Sequence, residues 1–171
     1  MPGLLCRNRD SGFSLIELAV AIALLAGLLY FLLDRVLYMQ EMAEKTEVEE
    51  TVRSMNYALR LEASSRLVRG SAINQSSLTN ENPIKWLSSQ PRNYMGELTD
   101  APSGAKPSYW YFHLGERALI YIPNRASHLA VKEGKLKELR FDVMVPIGTA
   151  YPQLVPHAPY TWFGEKSGES R

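Results

Sequence analysis

The feature that most constrains this chain is an apolar run, Phe13–Leu33, that only Ser14, Glu17 and Gly27 interrupt. As a helix with a rise of about 1.5 Å per residue, the run would span roughly 31 Å, which matches the hydrocarbon core of a bilayer. A buried helix of a soluble protein is disfavoured because the run is too long and is apolar on all faces. The run therefore predicts a membrane-spanning segment.

The charges on either side of this run predict its orientation. Arg7 and Arg9 lie in the short leader before it, whereas the stretch Glu41–Glu50 that follows it is acidic. The positive-inside rule keeps the more basic side in the cytoplasm. We therefore expect a single-pass membrane protein with a cytoplasmic N-terminus and the rest of the chain on the other side of the membrane.

Two simple interpretations of the run are a cleaved signal peptide and a plain transmembrane anchor. The segments Ala19–Ala21 and Ala21–Ala23 fit the small-x-small site of a cleaved signal peptide. Cleavage there would leave a short apolar region that contains Glu17, and the run continues well past both segments, so this interpretation is disfavoured. A plain transmembrane anchor explains everything except Glu17. An isolated carboxylate at depth in the bilayer costs on the order of several kcal/mol, so Glu17 either lies near the headgroups or has a function.

The residues around Glu17 carry a family resemblance. The sequence Gly12-Phe13-Ser14-Leu15-Ile16-Glu17-Leu18, after a short basic leader and before an apolar helix, resembles the N-terminal signature of type IV pilins and type II secretion pseudopilins. The resemblance implies that a membrane prepilin peptidase cuts between Gly12 and Phe13 and methylates the new amine of Phe13. It also implies three kinds of partner besides the lipid bilayer: the peptidase, other pilin or pseudopilin subunits, and an inner-membrane assembly platform.

The same resemblance implies a role for Glu17 in assembly. A carboxylate in the first helical turn complements the helix dipole, and it could do so within a single subunit. In a filament of staggered helices, Glu17 of one subunit could instead meet the Phe13 amine of a neighbour. That pairing would set the register, because an unpaired charge in a low-dielectric core is costly.

Many family members have a proline in the second half of the apolar segment, whereas here Gly27 is the only weak point of the helix.

The helical pattern continues beyond the apolar run. No Gly or Pro occurs between Gly27 and Gly70, so we predict one helix over about 13–69, with Gly70 as its C-cap. Apolar residues recur at helical spacing and predict an amphipathic stripe: Val48, Val52, Met55, Leu59, Ala63 and Leu67.

Charged residues accompany this stripe. Glu41 with Lys45 and Glu49 with Arg53 form i,i+4 pairs with the acidic residue first. This arrangement predicts a solvated helix face, and we prefer it to a binding surface.

The composition changes near Ser71. Nine of the ten prolines lie between Pro83 and Pro159, which indicates loops and strands. We predict a short helix near Ile84–Ser88, a hairpin of Tyr109–Leu114 with Ala118–Ile122, and a third strand within Leu136–Val145. From Pro146 onward we predict at most an edge strand or an extended cover. The predicted fold is α+β and pilin-like: a long N-terminal helix packs on a small antiparallel β-sheet. The predicted segments are the leader 1–12, a transmembrane and assembly segment 13–33, an amphipathic segment 34–70, and a β-rich head 71–171.

Segments of the head show a looser resemblance to MSHA-like and related secretion-type pilin proteins. These segments are Asn82–Leu87, Pro91–Glu97, Trp110–Phe112 and Leu119–Tyr121. They do not assign a subtype.

Signals for catalysis, cofactors and metals are missing from the sequence. His113, His128 and His157 are widely spaced, and no HExxH, CxxC, P-loop or GxSxG motif occurs. The single cysteine, Cys6, lies in the leader, and the four aspartates form no calcium loop. We therefore predict a protein that is not an enzyme and that has no catalytic residue, cofactor or metal ligand. Core packing is the preferred role of four aromatic residues: Trp86, Trp110, Tyr160 and Trp162.

The charge balance argues against a nucleic-acid partner. The chain has 19 Lys and Arg residues against 18 Asp and Glu residues, so it carries no overall basic field. The basic residues of the predicted sheet alternate with Glu116, Glu133 and Glu138, which favours solvation; they are Arg117, Arg125, Lys132, Lys135, Lys137 and Arg140.

Taken with the resemblance, the sequence favours a structural filament subunit. Two alternatives stay open: a single-pass membrane-anchored protein with a ligand-binding outer domain, and a minor pilin for DNA uptake.

Overall fold

The computed structural model describes residues 14–69, 79–100, 106–132, 138–149 and 151–167. By its internal contacts the chain divides into two compact units, Met1–Gln40 and Glu41–Arg171. A single helix, α1 (Leu15–Val68), begins in the first unit and ends in the second. The predicted continuous helix is therefore confirmed. Its predicted cap, Gly70, and the leader lie outside the described residues.

In the first unit, α1 carries an apolar surface that the unit itself leaves uncovered. Helix α1 is long enough and apolar enough near its N-terminus to cross a membrane, and none of that stretch is buried. The helix passes through Gly27 without interruption, and a Cβ placed there would meet no atom within 4 Å. Near the end of this unit, the guanidinium carbon of Arg35 lies 5.2 Å from the centre of the Tyr38 ring.

In its described residues, the second unit adds one short 3-10 helix, at Pro83–Trp86, and eight strands to the rest of α1. The short helix overlaps the one that was predicted near Ile84–Ser88. The strands are β1 (Tyr94–Leu98), β2 (Tyr109–His113), β3 (Ala118–Ile122), β4 (Leu129–Val131), β5 (Leu139–Met144), β6 (Gln153–Pro156), β7 (Tyr160–Trp162) and β8 (Glu165–Ser167).

Five strands form one sheet in the order β1-β2-β3-β5-β6. The predicted hairpin is confirmed as β2 and β3, which pair antiparallel with Trp110 opposite Tyr121. The predicted third strand is confirmed as β5, which pairs antiparallel with β3. The predicted alternation of apolar and polar residues in this strand is also confirmed, since Leu139, Phe141 and Val143 are buried.

The prediction of an antiparallel sheet needs one correction, because β1 pairs parallel with β2. No strand was predicted at Tyr94–Leu98, where Gly96 and the neighbouring polar residues suggest a loop. Parallel neighbours need a crossover connection rather than a hairpin turn, and residues 99–108 separate β1 from β2 in the sequence. The five-stranded sheet is therefore mixed.

The prediction of at most an edge strand after Pro146 is wrong. That region supplies the edge strand β6 and also β7 and β8, which join β4 in a second sheet of order β4-β7-β8. Its prolines do not prevent pairing, because Pro156 ends β6 and Pro159 comes directly before β7. Phe163 and Gly164, both with positive φ, link β7 to β8, as a two-residue hairpin turn requires.

Helix α1 packs on both sheets through the predicted stripe. Val48, Met55 and Leu59 belong to one buried cluster that also contains six aromatic residues of the strands: Trp110, Phe112, Tyr121, Phe141, Tyr160 and Trp162. Leu67 departs from the stripe, since it is 58% exposed. Replacing Met55 or Leu59 with Ala would cost about 2–5 kcal/mol because each is fully buried. Core packing is confirmed for Trp110, Tyr160 and Trp162.

The edge of the larger sheet at β6 is held by α1. The side chain of Asn56 accepts a 2.6 Å hydrogen bond from the backbone N–H of Leu154 and donates one of 3.4 Å to its carbonyl. An unpaired strand edge is a template for pairing with other chains. Asn56 therefore occupies the edge at the position that another strand would use.

Candidate functional site

Of the three residues predicted to act in processing and assembly, the structure describes Glu17. It lies in the first turn of α1 and is exposed. Gly12 and Phe13 lie outside the described residues. Within the first unit, every large apolar side chain from Leu15 to Leu33 is at least half exposed.

Glu17 is the only Asp, Glu, Lys or Arg residue between Leu15 and Leu33. Exposed apolar patches of this extent mark surfaces that contact a membrane or another protein. A carboxylate on such a surface is stable only where water, headgroups or a cation can reach it. The apolar stretch Leu15–Leu33 thus presents one carboxylate to whatever covers its side chains.

A second polar site lies where α1 enters the second unit, and it was not predicted. Three charged residues of α1, which we name the helix cluster, point toward strands and loops rather than toward solvent. They are Glu41, Glu44 and Lys45.

Glu41 is 1% exposed, yet each of its oxygens has a polar partner. One oxygen accepts hydrogen bonds of 2.8 Å from the backbone N–H of His128 and of 3.1 Å from the indole N–H of Trp162. The other oxygen lies 3.0 Å from Nδ1 of His128. Burial tends to raise the pKa of Glu41, but the hydrogen bonds from His128 and Trp162 outweigh it, so its pKa lies below the ordinary value.

Glu44 holds the loop after β3. Its carboxylate accepts hydrogen bonds from the backbone N–H groups of Asn124, at 2.6 Å, and Arg125, at 3.1 Å. It also accepts one of 2.8 Å from the phenol of Tyr121 and one of 3.3 Å from the Ser108 hydroxyl. Burial and the neighbouring Glu44 carboxylate raise the pKa of Tyr121 far above the ordinary value. Tyr121 therefore stays a hydrogen-bond donor at any physiological pH.

Lys45, the third member of the helix cluster, reaches β8. Its ammonium forms an ion pair with Glu165 and lies 3.8 Å from Glu49. The hydrogen bond and charge of Lys45 lower the pKa of the Glu165 carboxyl. The helix cluster thus contacts β3, β7, β8 and the segment between β3 and β4.

The prediction that Glu41 and Lys45 form a solvated i,i+4 pair is wrong. Both residues are buried, and each pairs with a residue far away in the chain. For the second predicted pair, Glu49 with Arg53, the structure places Arg53 against Glu50, at 2.5 Å, and Glu49 3.8 Å from the Lys45 ammonium. A signal for the burial was present, since the apolar stripe extended toward the N-terminus from Val48 falls on Lys45 and Glu41.

Each of the three histidines has a polar partner in the structure. His113 Nδ1 accepts a 3.0 Å hydrogen bond from the backbone N–H of Glu116, and His157 Nδ1 lies 2.6 Å from Asp142. His128 contacts Glu41 and stacks on Phe163. Among the described residues, no group of three or more His, Cys, Asp or Glu side chains could hold a metal ion.

Among the described basic residues of this region, Arg140 pairs with acidic neighbours. Arg140 bonds Glu138 and Glu116, each at 2.6 Å, and Arg117 donates a 3.0 Å hydrogen bond to the carbonyl of Asn80. Lys135, Lys137 and Glu133 lie outside the described residues. The pairing of Arg140 agrees with the interpretation that these residues are solvated.

Comparison with known proteins gives one match. Residues 7–26 match the family model of the prokaryotic N-terminal methylation motif, and this segment contains Gly12, Phe13 and Glu17. No curated protein and no solved structure matches the chain.

Proposed function

Because this chain is a pilin-type protein of the type IV pilin-like family, we propose that it is a structural subunit of a type IV pilus-like or type II secretion pseudopilus filament. The methylation motif indicates processing by prepilin peptidase, and it implies assembly with other pilin subunits. The observation that carries the proposal is the position of this motif. It opens a helix whose large apolar side chains are all exposed over Leu15–Leu33.

Processing occurs between Gly12 and Phe13 in this proposal, and the amine of Phe13 is methylated. Removal of residues 1–12 takes away Arg7, Arg9 and Asp10, which leaves 19−2 = 17 basic and 18−1 = 17 acidic residues. The mature subunit has 171−12 = 159 residues, no formal net charge and no cysteine.

Glu17 sets the register of assembly. After processing, the new ammonium at Phe13 lies one helical turn before Glu17. In a bundle of exposed apolar helices, each Glu17 that lacked a cation would be a buried unpaired charge, which is strongly unfavourable. Pairing with the Phe13 amine of a neighbour removes that cost only at the axial offset between two helices that brings the two groups together.

The remainder of the chain is a periplasmic or external structural domain. The apolar part of α1 stays in the inner membrane with the N-terminus on the cytoplasmic side, until an inner-membrane assembly platform incorporates the subunit. The motif favours a structural rather than a catalytic protein. The helix cluster supports this role, because Glu41, Glu44 and Lys45 make structural contacts.

Three substitutions of Glu17 test the proposal in cells that have the assembly machinery. Glu17→Ala and the neutral isostere Glu17→Gln should lower the filament fraction about tenfold or more while the membrane fraction keeps the processed chain. Glu17→Asp retains the charge and should keep part of the assembly. The variant Ser14→Ala is the control for a polar change on the same turn. Normal filament assembly by Glu17→Gln would refute the register role.

A further inference from the structure

Within the second unit, the solvent side of α1 has two flanks of opposite charge. The acidic flank consists of Glu47 and Glu50, which are exposed and line an open cavity of about 750 Å³ beside residues 87–93. The basic flank consists of Arg53 and Arg60, which are exposed and line a groove of about 570 Å³ beside β6.

Other side chains reinforce the basic flank. Lys166 of β8 also lines its groove, and the one carboxylate there, Glu49, lies 3.8 Å from the Lys45 ammonium. Arg60 forms no ion pair with any residue in the described part of the chain. The acidic cavity contains a single cation, Arg92, among its lining side chains. Each flank therefore keeps an excess of one charge.

Apolar side chains accompany the two flanks. Tyr57, which lines the basic groove, is 71% exposed, and Leu61 on the same exposed face is 61% exposed. A helix turns about 100° per residue, which places Tyr57 between Glu50 and Arg53 around the helix. Aromatic residues beside arginines are typical of the centres of protein interfaces.

We infer that the acidic flank of one copy of this chain docks into the basic groove of the next copy, an inference that rests on the proposed filament function. Each flank complements the other and repels its own kind, so the contact is heterologous and can repeat without closing. The Glu50–Arg53 pair within one copy does not oppose it, because exposed ion pairs contribute about 0–1 kcal/mol.

The helix geometry gives the displacement between neighbours. Copies anchored in one membrane by the same helix run parallel. Placing Glu47 of one copy opposite Arg53 of the next shifts the neighbour along the helix axis by six residues, or about 9 Å. Placing Glu50 opposite Arg60 shifts it by ten residues, or about 15 Å. The flanks thus favour an axial stagger of about two to three helical turns.

Charge reversal with rescue tests the inference in the full chain. One variant carries Glu47→Lys with Glu50→Lys, and the other carries Arg53→Glu with Arg60→Glu. Each variant expressed alone has two flanks of the same charge, which repel each other between copies. We therefore expect about a tenfold loss of the filament fraction. Coexpression of the two variants should restore assembly, because each then meets the opposite charge on the other. Lys132→Glu, an exposed position outside both flanks, is the control.

The outcomes separate this inference from the proposed function. Protease resistance of each variant, measured in detergent, first shows that the second unit is folded. Wild-type assembly that depends on Glu17 but is indifferent to both reversals would overturn the flank contact alone. Loss of assembly with only one of the two reversals would also overturn the flank contact, and so would a loss that coexpression does not restore. In either case the affected flank would contact another surface. A wild-type chain that forms no filament would overturn both proposals.

Discussion

The carboxylate of Glu41 on α1 accepts a 3.1 Å hydrogen bond from the indole nitrogen of Trp162, which lies 121 positions later in the chain. Both side chains are almost fully buried. The same carboxylate also accepts a hydrogen bond from the backbone N–H of His128, the residue before β4. One side chain of the helix therefore bonds both β7 and the segment that leads into β4, so the second sheet depends on α1 for its position.

Glu41→Gln should destabilise the second unit by about 1–3 kcal/mol, because the amide keeps the size of the side chain but removes the charge that accepts from His128 and Trp162. Chemical unfolding of the full chain in detergent, followed by tryptophan fluorescence, measures the change. The matched control is Glu50→Gln, an exposed position on the same helix, which should change the stability by less than about 0.5 kcal/mol. Equal effects of the two variants would contradict the role of Glu41.

The contribution of Glu41 should depend on pH. Its pKa in the folded chain is lowered from the model-compound value of 4.5, so the folded state favours the ionised form. The resulting stability is present above 4.5 and is lost as the pH falls through the lower folded value. The difference in unfolding free energy between wild type and Glu41→Gln should therefore narrow in acid. A constant difference from pH 7 down to pH 3 would contradict this linkage.

Glu44 and Tyr121 should be energetically coupled. Their hydrogen bond is 2.8 Å long, and Glu44 also accepts from Asn124 and Arg125. Glu44→Ala should therefore cost more than Tyr121→Phe, because it leaves several donors without their acceptor. A double-mutant cycle of unfolding free energies should give a coupling of about 0.5–3 kcal/mol. Additive effects of the two substitutions would mean that the hydrogen bond contributes nothing.

Asn56 should protect the sheet edge at β6. Asn56→Ala removes both hydrogen bonds to Leu154, so the backbone N–H of Leu154 should exchange with solvent at least tenfold faster. Asn56→Asp keeps the acceptor for the N–H and places a negative charge near the Leu154 carbonyl. We expect it to preserve more protection than Asn56→Ala. Hydrogen exchange of peptides covering β6, measured by mass spectrometry, checks both variants, and unchanged exchange in Asn56→Ala would contradict the assignment.

The predictable parts of the fold are those with a local period. Val48, Met55 and Leu59 repeat at helical spacing, and Leu139, Phe141 and Val143 alternate as a strand does, so burial of one face follows from the sequence. The hairpin of β2 and β3 is predictable for the same reason. The β7–β8 hairpin also has a local signal, since Gly164 follows an aromatic alternating segment, but the nearby prolines obscured it.

The partners of the helix cluster have no comparable signal. Glu41 meets residues 87 and 121 positions away, and Lys45 meets one 120 positions away, so no spacing rule connects them. The i,i+4 pattern of Glu41 and Lys45 is also what a solvated helix shows. Only tertiary structure distinguishes the two cases, because the buried charges are stabilised by donors that the strands bring close.

The candidate functional residues also include some that the sequence predicts and some that only the structure identifies. Gly12, Phe13 and Glu17 carry a compact local motif, and the match over residues 7–26 covers all three. The opposite flanks of α1 become visible only when the structure shows which charged residues are exposed. Glu47 and Arg60 remain on the surface, whereas Glu41 and Lys45 do not.

The mass of the intact chain purified from membranes of cells that contain prepilin peptidase tests the central claim most directly. The account predicts a chain of 159 residues that starts at Phe13, carries one added methyl group on its amine and lacks Cys6. Cells without the peptidase should yield the uncut chain as the control. A chain that keeps the Gly12–Phe13 bond in the presence of the peptidase, or that starts at another residue, would contradict the account.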